Sequence, residues 1–176
     1  MGQRTILEYP DPRLRAKAAP ATAFGPELDA LIDDMFETMY GFKAIGLAAP
    51  QIGVSLRVVT LDVSADGSAP EVFINPELVG KRHPGMVEES CLSVPGIVAS
   101  VLRATQIDVR SASRSGEIST RRLDGLLAVG LLHELDHLDG TLFIDRLSVF
   151  TRLRMWRALR QARARALTSE GESFAP

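Results

Sequence analysis

Two histidines four residues apart, His133 and His137, stand with an acid between them in the run His133-Glu134-Leu135-Asp136-His137. On a helix, residues four apart lie one above the other on the same face. Two imidazoles so placed can share one metal ion, and the adjacent Glu134 can serve as a general base. The surrounding segment, Leu126 to Gly140, is apolar on almost every side (Leu126, Leu127, Val129, Leu131, Leu132, Leu135, Leu138). That pattern predicts a helix inside the protein. Two His, a Glu and an Asp buried there are costly unless paired or bound to metal. Asp124 precedes the run as a candidate cap. Gly140 follows it, where a left-handed C-terminal cap favours glycine.

Catalytic sites built on paired His add one more protein ligand and leave a place for water. In the metzincin pattern a third His follows the second by six residues; that position here is Phe143. Asp139 and Asp145 lie close downstream without a recognised spacing. Cys91, the single cysteine, is left as either a buried hydrophobe or a ligand. It follows the acids Glu88 and Glu89 and precedes Pro95-Gly96, at a strand-to-loop transition that can aim a side chain at a neighbouring helix. His83, the third histidine, sits in the polar segment Gly80 to Gly85 and reads as exposed.

The elements that must position these groups follow from pattern. Gly25-Pro26-Glu27 starts a helix with Pro at its first position, and Leu28, Leu31, Ile32, Met35 and Met39 keep helical spacing as far as Gly41. This Met-bearing stripe reads as core contact. Strands are predicted at 57–63, 71–74, 97–102, 105–111 and 117–123, with Ser113-Arg114-Ser115-Gly116 as a hairpin turn and 80–85 as a turn-rich segment. Between the first helix and the first strand lies Ala44 to Gly53, rich in small residues that allow close backbone approach. Its Gln51 reads by composition as solvated in a tight turn; if buried, its amide needs a partner. Residues 148–167 predict a C-terminal helix. Met155, Leu159, Ala162 and Ala166 line one side, and Arg152, Arg154, Arg157, Arg160, Arg163 and Arg165 supply six positive charges. That helix reads either as a docked helix with a solvated outer face or as a contact for an anionic partner such as RNA. Residues 169–176 are expected to be a disordered tail.

With 176 residues, 45% hydrophobic and 24% charged, the chain predicts one soluble globular domain over 1–168. A net charge of -2 gives no reason to expect whole-surface nucleic-acid binding. One Cys excludes an intrachain disulfide. The first residues have no apolar run of signal-peptide length, and no stretch is long and apolar enough to span a bilayer. A cytoplasmic location is the default expectation.

Three blocks in order then carry a resemblance. GLAAPQ (46–51), ESCLS (89–93) and HELDHLDG (133–140) closely resemble the three signature motifs of the peptide deformylase family. DPRLR near the start, LDGLLA before the third block and TLFIDRLS after it agree, so the likeness spans roughly residues 5–150. The resemblance implies an α+β fold: antiparallel β-sheets around a central buried HExxH helix, plus an N-terminal and a C-terminal helix. It implies metal ligands Cys91, His133 and His137 with water in the fourth place, and one divalent ion, Fe(II) foremost, with Zn(II) or Ni(II) able to substitute. Glu134 becomes the general acid/base, and Gln51 and the backbone N–H of Leu92 become the oxyanion donors. The implied substrates are N-formylmethionyl peptides, the nascent chains. The peptide would lie extended along Ile45, Gly46 and Ser90, and the first side chain would enter a pocket walled by Val87, Leu126, Val129 and Gly130. The basic C-terminal helix would offer a ribosome contact.

This sequence departs from the family pattern at four places. Ala44 and Ser90 stand where Gly is frequent, Leu132 stands where Gln commonly precedes the first ligand His, and Ile97-Val98-Ala99-Ser100 lacks the Arg often found there. A non-catalytic or weakly active paralogue, and a different HExxH metallopeptidase, are the alternative readings.

Overall fold

The computed structural model describes residues 2–155 and 157. The chain divides into two compact units, one up to residue 143 and one from residue 144. The predicted single domain spans both.

In the first unit, helix α1 (Pro26–Gly41) starts as the sequence predicts, with Pro26 in its first turn, and buries Leu28, Ile32, Met35 and Met39. These pack with Leu47, Ala49, Val58 and Ile74, so the Met stripe is core. One antiparallel sheet follows, in the order β1 (Gly46–Ala48), β2 (Val58–Leu61), β3 (Glu71–Cys91), β4 (Val94–Ala112) and β5 (Ile118–Asp124). The plural sheets of the sequence reading are therefore one sheet. The HExxH segment forms helix α2 (Gly125–Leu138), which packs on β1, β2, β4 and β5. Ala128, Leu131, Leu132, Leu135 and Leu138 join Val59, Leu61, Phe73, Ile107 and Leu123 in one core cluster.

Several local expectations yield to pairing. The turn-rich segment 80–85 is part of β3, and the two strands predicted at 97–102 and 105–111 are one strand, β4. A long partner satisfies the backbone of residues whose own composition favours turns. The turn character survives as irregularity: the β3–β4 register shifts near 75–80, and Asn75 and His83 take positive φ of 51° and 53°. The hairpin at 113–116 forms as predicted: Ser113 N–H donates to the Glu117 carbonyl, and Gly116 N–H donates to that of Ser113.

Asp124 does not cap α2; its carboxylate accepts from Gln106 Nε2 at 2.7 Å. Gly140 fills its predicted role, with φ 69° and a Cβ position only 2.4 Å from the Arg15 carbonyl oxygen. α2 is not buried all round, because Leu126 is 52% exposed.

In the second unit, residues 149–155 are helical, and Arg152 pairs with Asp145 at 3.8 Å. The rest of the predicted 148–167 helix beyond 157, with Arg160, Arg163 and Arg165, and the tail 169–176 lie outside the described residues. Among the described residues, no helix is long and apolar enough to cross a membrane.

Candidate functional site

Cys91 ends β3, and the pairing there is irregular: Ser90 pairs with Val98, but Cys91 pairs with Val94. The extra residues, 95–97, lie on β4; they bend that strand and reset its pairing with the end of β3. The sulfur of Cys91 thereby comes within 3.1 Å of His137 Nε2. The ligand atoms of Cys91, His133 and His137 all lie within 4.8 Å of one another. The two imidazoles pack edge to face at 5.2 Å between centroids, and Phe143 stacks on His133 at 5.9 Å. Phe143 is thus a wall beside the cluster. His83 is exposed and outside it.

A buried charge network orients the cluster. Arg103, 4% exposed, clasps Glu89 with two bonds of 2.5 and 2.9 Å and reaches Asp136 at 2.8 Å. Burial would raise the Glu89 carboxyl, but the bonds from Arg103 and His133 outweigh it and hold the pKa at about 2. An ionised Glu89 can only accept, so His133 donates Nδ1–H to it at 2.8 Å and turns Nε2 toward the cluster. Burial disfavours charge on both rings. Bonds to Cys91 and Glu89 reverse this at His133, whose pKa is raised, whereas burial and then the neighbouring His133 keep His137 neutral. Two rings in contact do not both hold a proton.

Glu134 is 5% exposed, and its Oε2 is buried without a hydrogen-bond partner, as is His137 Nδ1. Burial pushes the Glu134 carboxyl up to about 7. A carboxylate near neutrality can both take and return a proton. Gly46 makes room for it: a Cβ there would sit 2.6 Å from Glu134 Oε1.

Gln51 is 2% exposed, so the solvated-turn reading fails. Its Oε1 accepts from Ala48 N–H at 2.8 Å, which fixes which end of the amide faces the cluster. Nε2 donates to Ser93 Oγ at 3.2 Å and points at Cys91 Sγ at 3.7 Å. The extended N-terminal segment ties both loops together: Leu7 N–H donates to the Gln51 carbonyl, and Tyr9 N–H to that of Ser93.

A cleft of about 780 Å³ opens beside these groups, within the range of small-ligand sites. Every residue assigned to substrate from sequence lines it: Ile45, Gly46, Val87, Ser90, Leu126, Val129 and Gly130, together with Leu92, Gln51, Cys91, His133 and Glu134. Gly130 does more than widen the cleft. It has a packing role, since a Cβ there would lie 3.2 Å from Leu61 Cδ2, so it also lets α2 approach β2.

The departures prove mild in geometry. Ser90 is not among the described non-glycine residues with positive φ (Lys43, Asn75 and His83). Leu132 packs in the core, and Ala44 packs against the α1 cluster. Sequence reasoning missed Arg103 and the N-terminal strap, and it supplied no partner for the buried Asp136. The one signal for Arg103 was a cation set among apolar and small residues in the run 98–104, paired with the Glu88–Glu89 stretch of β3.

The sequence pattern described as polypeptide deformylase matches residues 3–152. Peptide deformylase 2 of Xanthomonas campestris pv. campestris is 52% identical over 150 residues, which are 84% of this chain and 88% of that one. A peptide deformylase crystal structure from Legionella pneumophila superposes with a TM-score of 0.86 at 41% identity, covering 99% of this chain and 100% of that one. Another, from Ehrlichia chaffeensis in complex with actinonin, gives 0.84 at 32%, covering 92% and 98%. Neither alternative reading, a non-catalytic or weakly active paralogue or another HExxH metallopeptidase, is favoured by these likenesses. With its matched residues covering nearly all of the described chain, the protein belongs to the peptide deformylase family.

Proposed function

We propose that this chain is a metal-dependent hydrolase that removes the formyl group from the N-terminal formyl-methionine of nascent polypeptides, releasing formate. The observation that carries the reading is the meeting of Cys91, His133 and His137 beside a buried Glu134, at the end of an apolar cleft. One sulfur and two imidazole nitrogens suit a borderline or soft divalent ion. Bonds of about 2.0–2.3 Å around such an ion place its ligand atoms roughly 3.3–3.8 Å apart; the 3.1 Å between Cys91 Sγ and His137 Nε2 and the 4.8 Å bound on all three atoms bracket that spacing. Cys91, His133 and His137 would hold it, with Fe(II) as the expected ion and Zn(II) or Ni(II) as substitutes. When bound, the ion lowers the pKa of water and polarises a carbonyl.

The chain's own groups supply the rest. Glu134 Oε2, enclosed and unpartnered, takes a proton and returns it to the leaving amine; its pKa of about 7 suits both directions. Gln51 Nε2, whose contact to sulfur is the longer of its two, and the Leu92 N–H donate toward the oxygen on which charge builds. Ionised Glu89, held by Arg103, keeps His133 in one tautomer and one orientation. Val87, Leu126, Val129 and Gly130 form the pocket for the methionine side chain. The peptide backbone lies along Ile45–Gly46 and Ser90, adding a strand. In this reading α2 is the central element that the sheet wraps, the protein works in the cytoplasm, and the basic residues of 148–167 contact the ribosome.

The test is formate release from formyl-Met-Ala-Ser by protein purified anaerobically and loaded with Fe(II), beside a search for internal cleavage of unformylated peptides. Formate without internal cleavage supports the reading. Fully loaded protein that releases none overturns it in favour of a non-catalytic paralogue.

A further inference from the structure

Among the described residues, the β3–β4 ribbon has a bare outer face. β2 pairs with β3 only at 71–74, and β5 pairs with β4 only at 106–112. Between these, the two strands pair with each other alone from 84–90 against 98–104. Side chains alternate across the ribbon. One face is closed, with Glu89, Val101 and Arg103 all buried. The other carries Ser90 opposite Val98, Glu88 opposite Ser100, and Met86 opposite Leu102. Val98 and Met86 are 65% exposed and Leu102 is 63% exposed. Single exposed apolar residues are ordinary; here Met86 and Leu102 form an exposed apolar pair, with Val98 on the same face beyond the polar pair Glu88 and Ser100.

The row begins in the cleft, because Glu88, Ser90 and Val98 line it, whereas Met86 and Leu102 do not. Moving from Cys91 toward Met86 leads away from the Cys/His/His cluster. Ser90 to Met86 is four residues, about 13 Å of strand. An extended peptide covers that distance with about four residues.

We propose that this face is a track for the polypeptide as it leaves the cleft, with Met86 and Leu102 contacting apolar side chains at about the fourth to sixth residue from the formylated end. The proposal rests on the deformylase reading of the cleft, and it makes the enzyme sensitive to sequence well beyond the formyl-methionine. Continuity with the cleft is what selects the substrate's own chain as the occupant over a second protein.

The test compares three substrates: formyl-Met-Ala-Ser, the same peptide extended by Gly-Leu-Leu, and the same peptide extended by Gly-Gly-Gly. The leucine tail should raise kcat/KM roughly tenfold over the other two, equivalent to about 1.4 kcal/mol. The double variant Met86→Ser/Leu102→Ser should erase that advantage and leave the tripeptide kinetics unchanged. Equal values for the two tails in the wild type overturn the proposal, as does an advantage that survives the double variant. A wild-type dimer in sedimentation that the double variant abolishes assigns the face to a second copy and also overturns it. If no peptide is deformylated, the functional reading fails instead. Fluorescence anisotropy of the labelled hexapeptides then still decides whether the leucine tail binds this face.

Discussion

Gly46→Ala tests the placement of Glu134 with a single methyl group. The new Cβ would lie 2.6 Å from Glu134 Oε1 and 2.7 Å from Leu61 Cδ2. Ordinary carbon contacts begin near 3.5 Å, so something must move by about 1 Å. Leu61 is fully buried in the core cluster and has little room to yield. The carboxylate, with one oxygen unpartnered, is the freer of the two. Gly46 is not among the glycines with positive φ, so the backbone accepts alanine and the effect is one of space. A displacement near 1 Å of a reacting group costs about 10²-fold in rate, and overpacking adds about 1–3 kcal/mol of destabilisation. The assay is kcat for formate release at saturating formyl-Met-Ala-Ser, with metal content by atomic emission and Tm measured on the same samples. A kcat within threefold of wild type, at full metal content, would refute the placement of Glu134 as the proton carrier packed against Gly46.

Other outcomes follow from the charge network. Arg103→Met removes the buried cation that faces Glu89 and Asp136, and removing one partner of a buried pair costs about 3–5 kcal/mol, read as a lowered urea midpoint. Because Glu89 also orients His133, the same variant should bind its metal about 10–100-fold more weakly; unchanged affinity in a competition titration would show that His133 needs no such support. Acid stability should depend on Asp34, whose carboxyl the Arg4 guanidinium holds below the ordinary range. A folded pKa below the unfolded one means that the unfolded chain takes up protons first as pH falls, so this contribution is present above the ordinary Asp range and is lost as pH drops through the folded value. From about pH 6 to about pH 3, wild type should therefore lose more stability than Asp34→Asn. Parallel urea midpoints for the two proteins would refute it.

The buried triad of Arg103, Glu89 and Asp136 also clarifies a departure from the family pattern. The residues after the second motif, Ile97 to Ser100, include no cation. The nearest one downstream, Arg103, is buried against Glu89 and Asp136 and does not line the cleft. The outer face of the same strand is left to Val98 and Leu102, which is why the apolar track can exist there.

What the linear chain by itself determined is local. His133 and His137 share a face because four residues make one helical turn. Pro26 and Gly140 mark helix ends because of the backbone angles they prefer, and the Met stripe of α1 is core because its period is helical. The motifs placed Cys91 and Gln51 near that turn only through resemblance, since nothing in their own neighbourhoods separates a ligand from a buried thiol or a partnered amide from a solvated one. Tertiary structure decided those cases. Cys91 meets His137 across 46 residues and Glu89 meets His133 across 44. Such contacts depend on strand register and on the irregularity at Ser90–Cys91, where a shift of one residue turns every side chain to the opposite face. The same long-range pairing joined two predicted strands into β4 and drew a turn-rich segment into β3. It also hid Arg103 in the interior, because the partners that make a buried charge tolerable are distant in sequence and adjacent only once the sheet has formed.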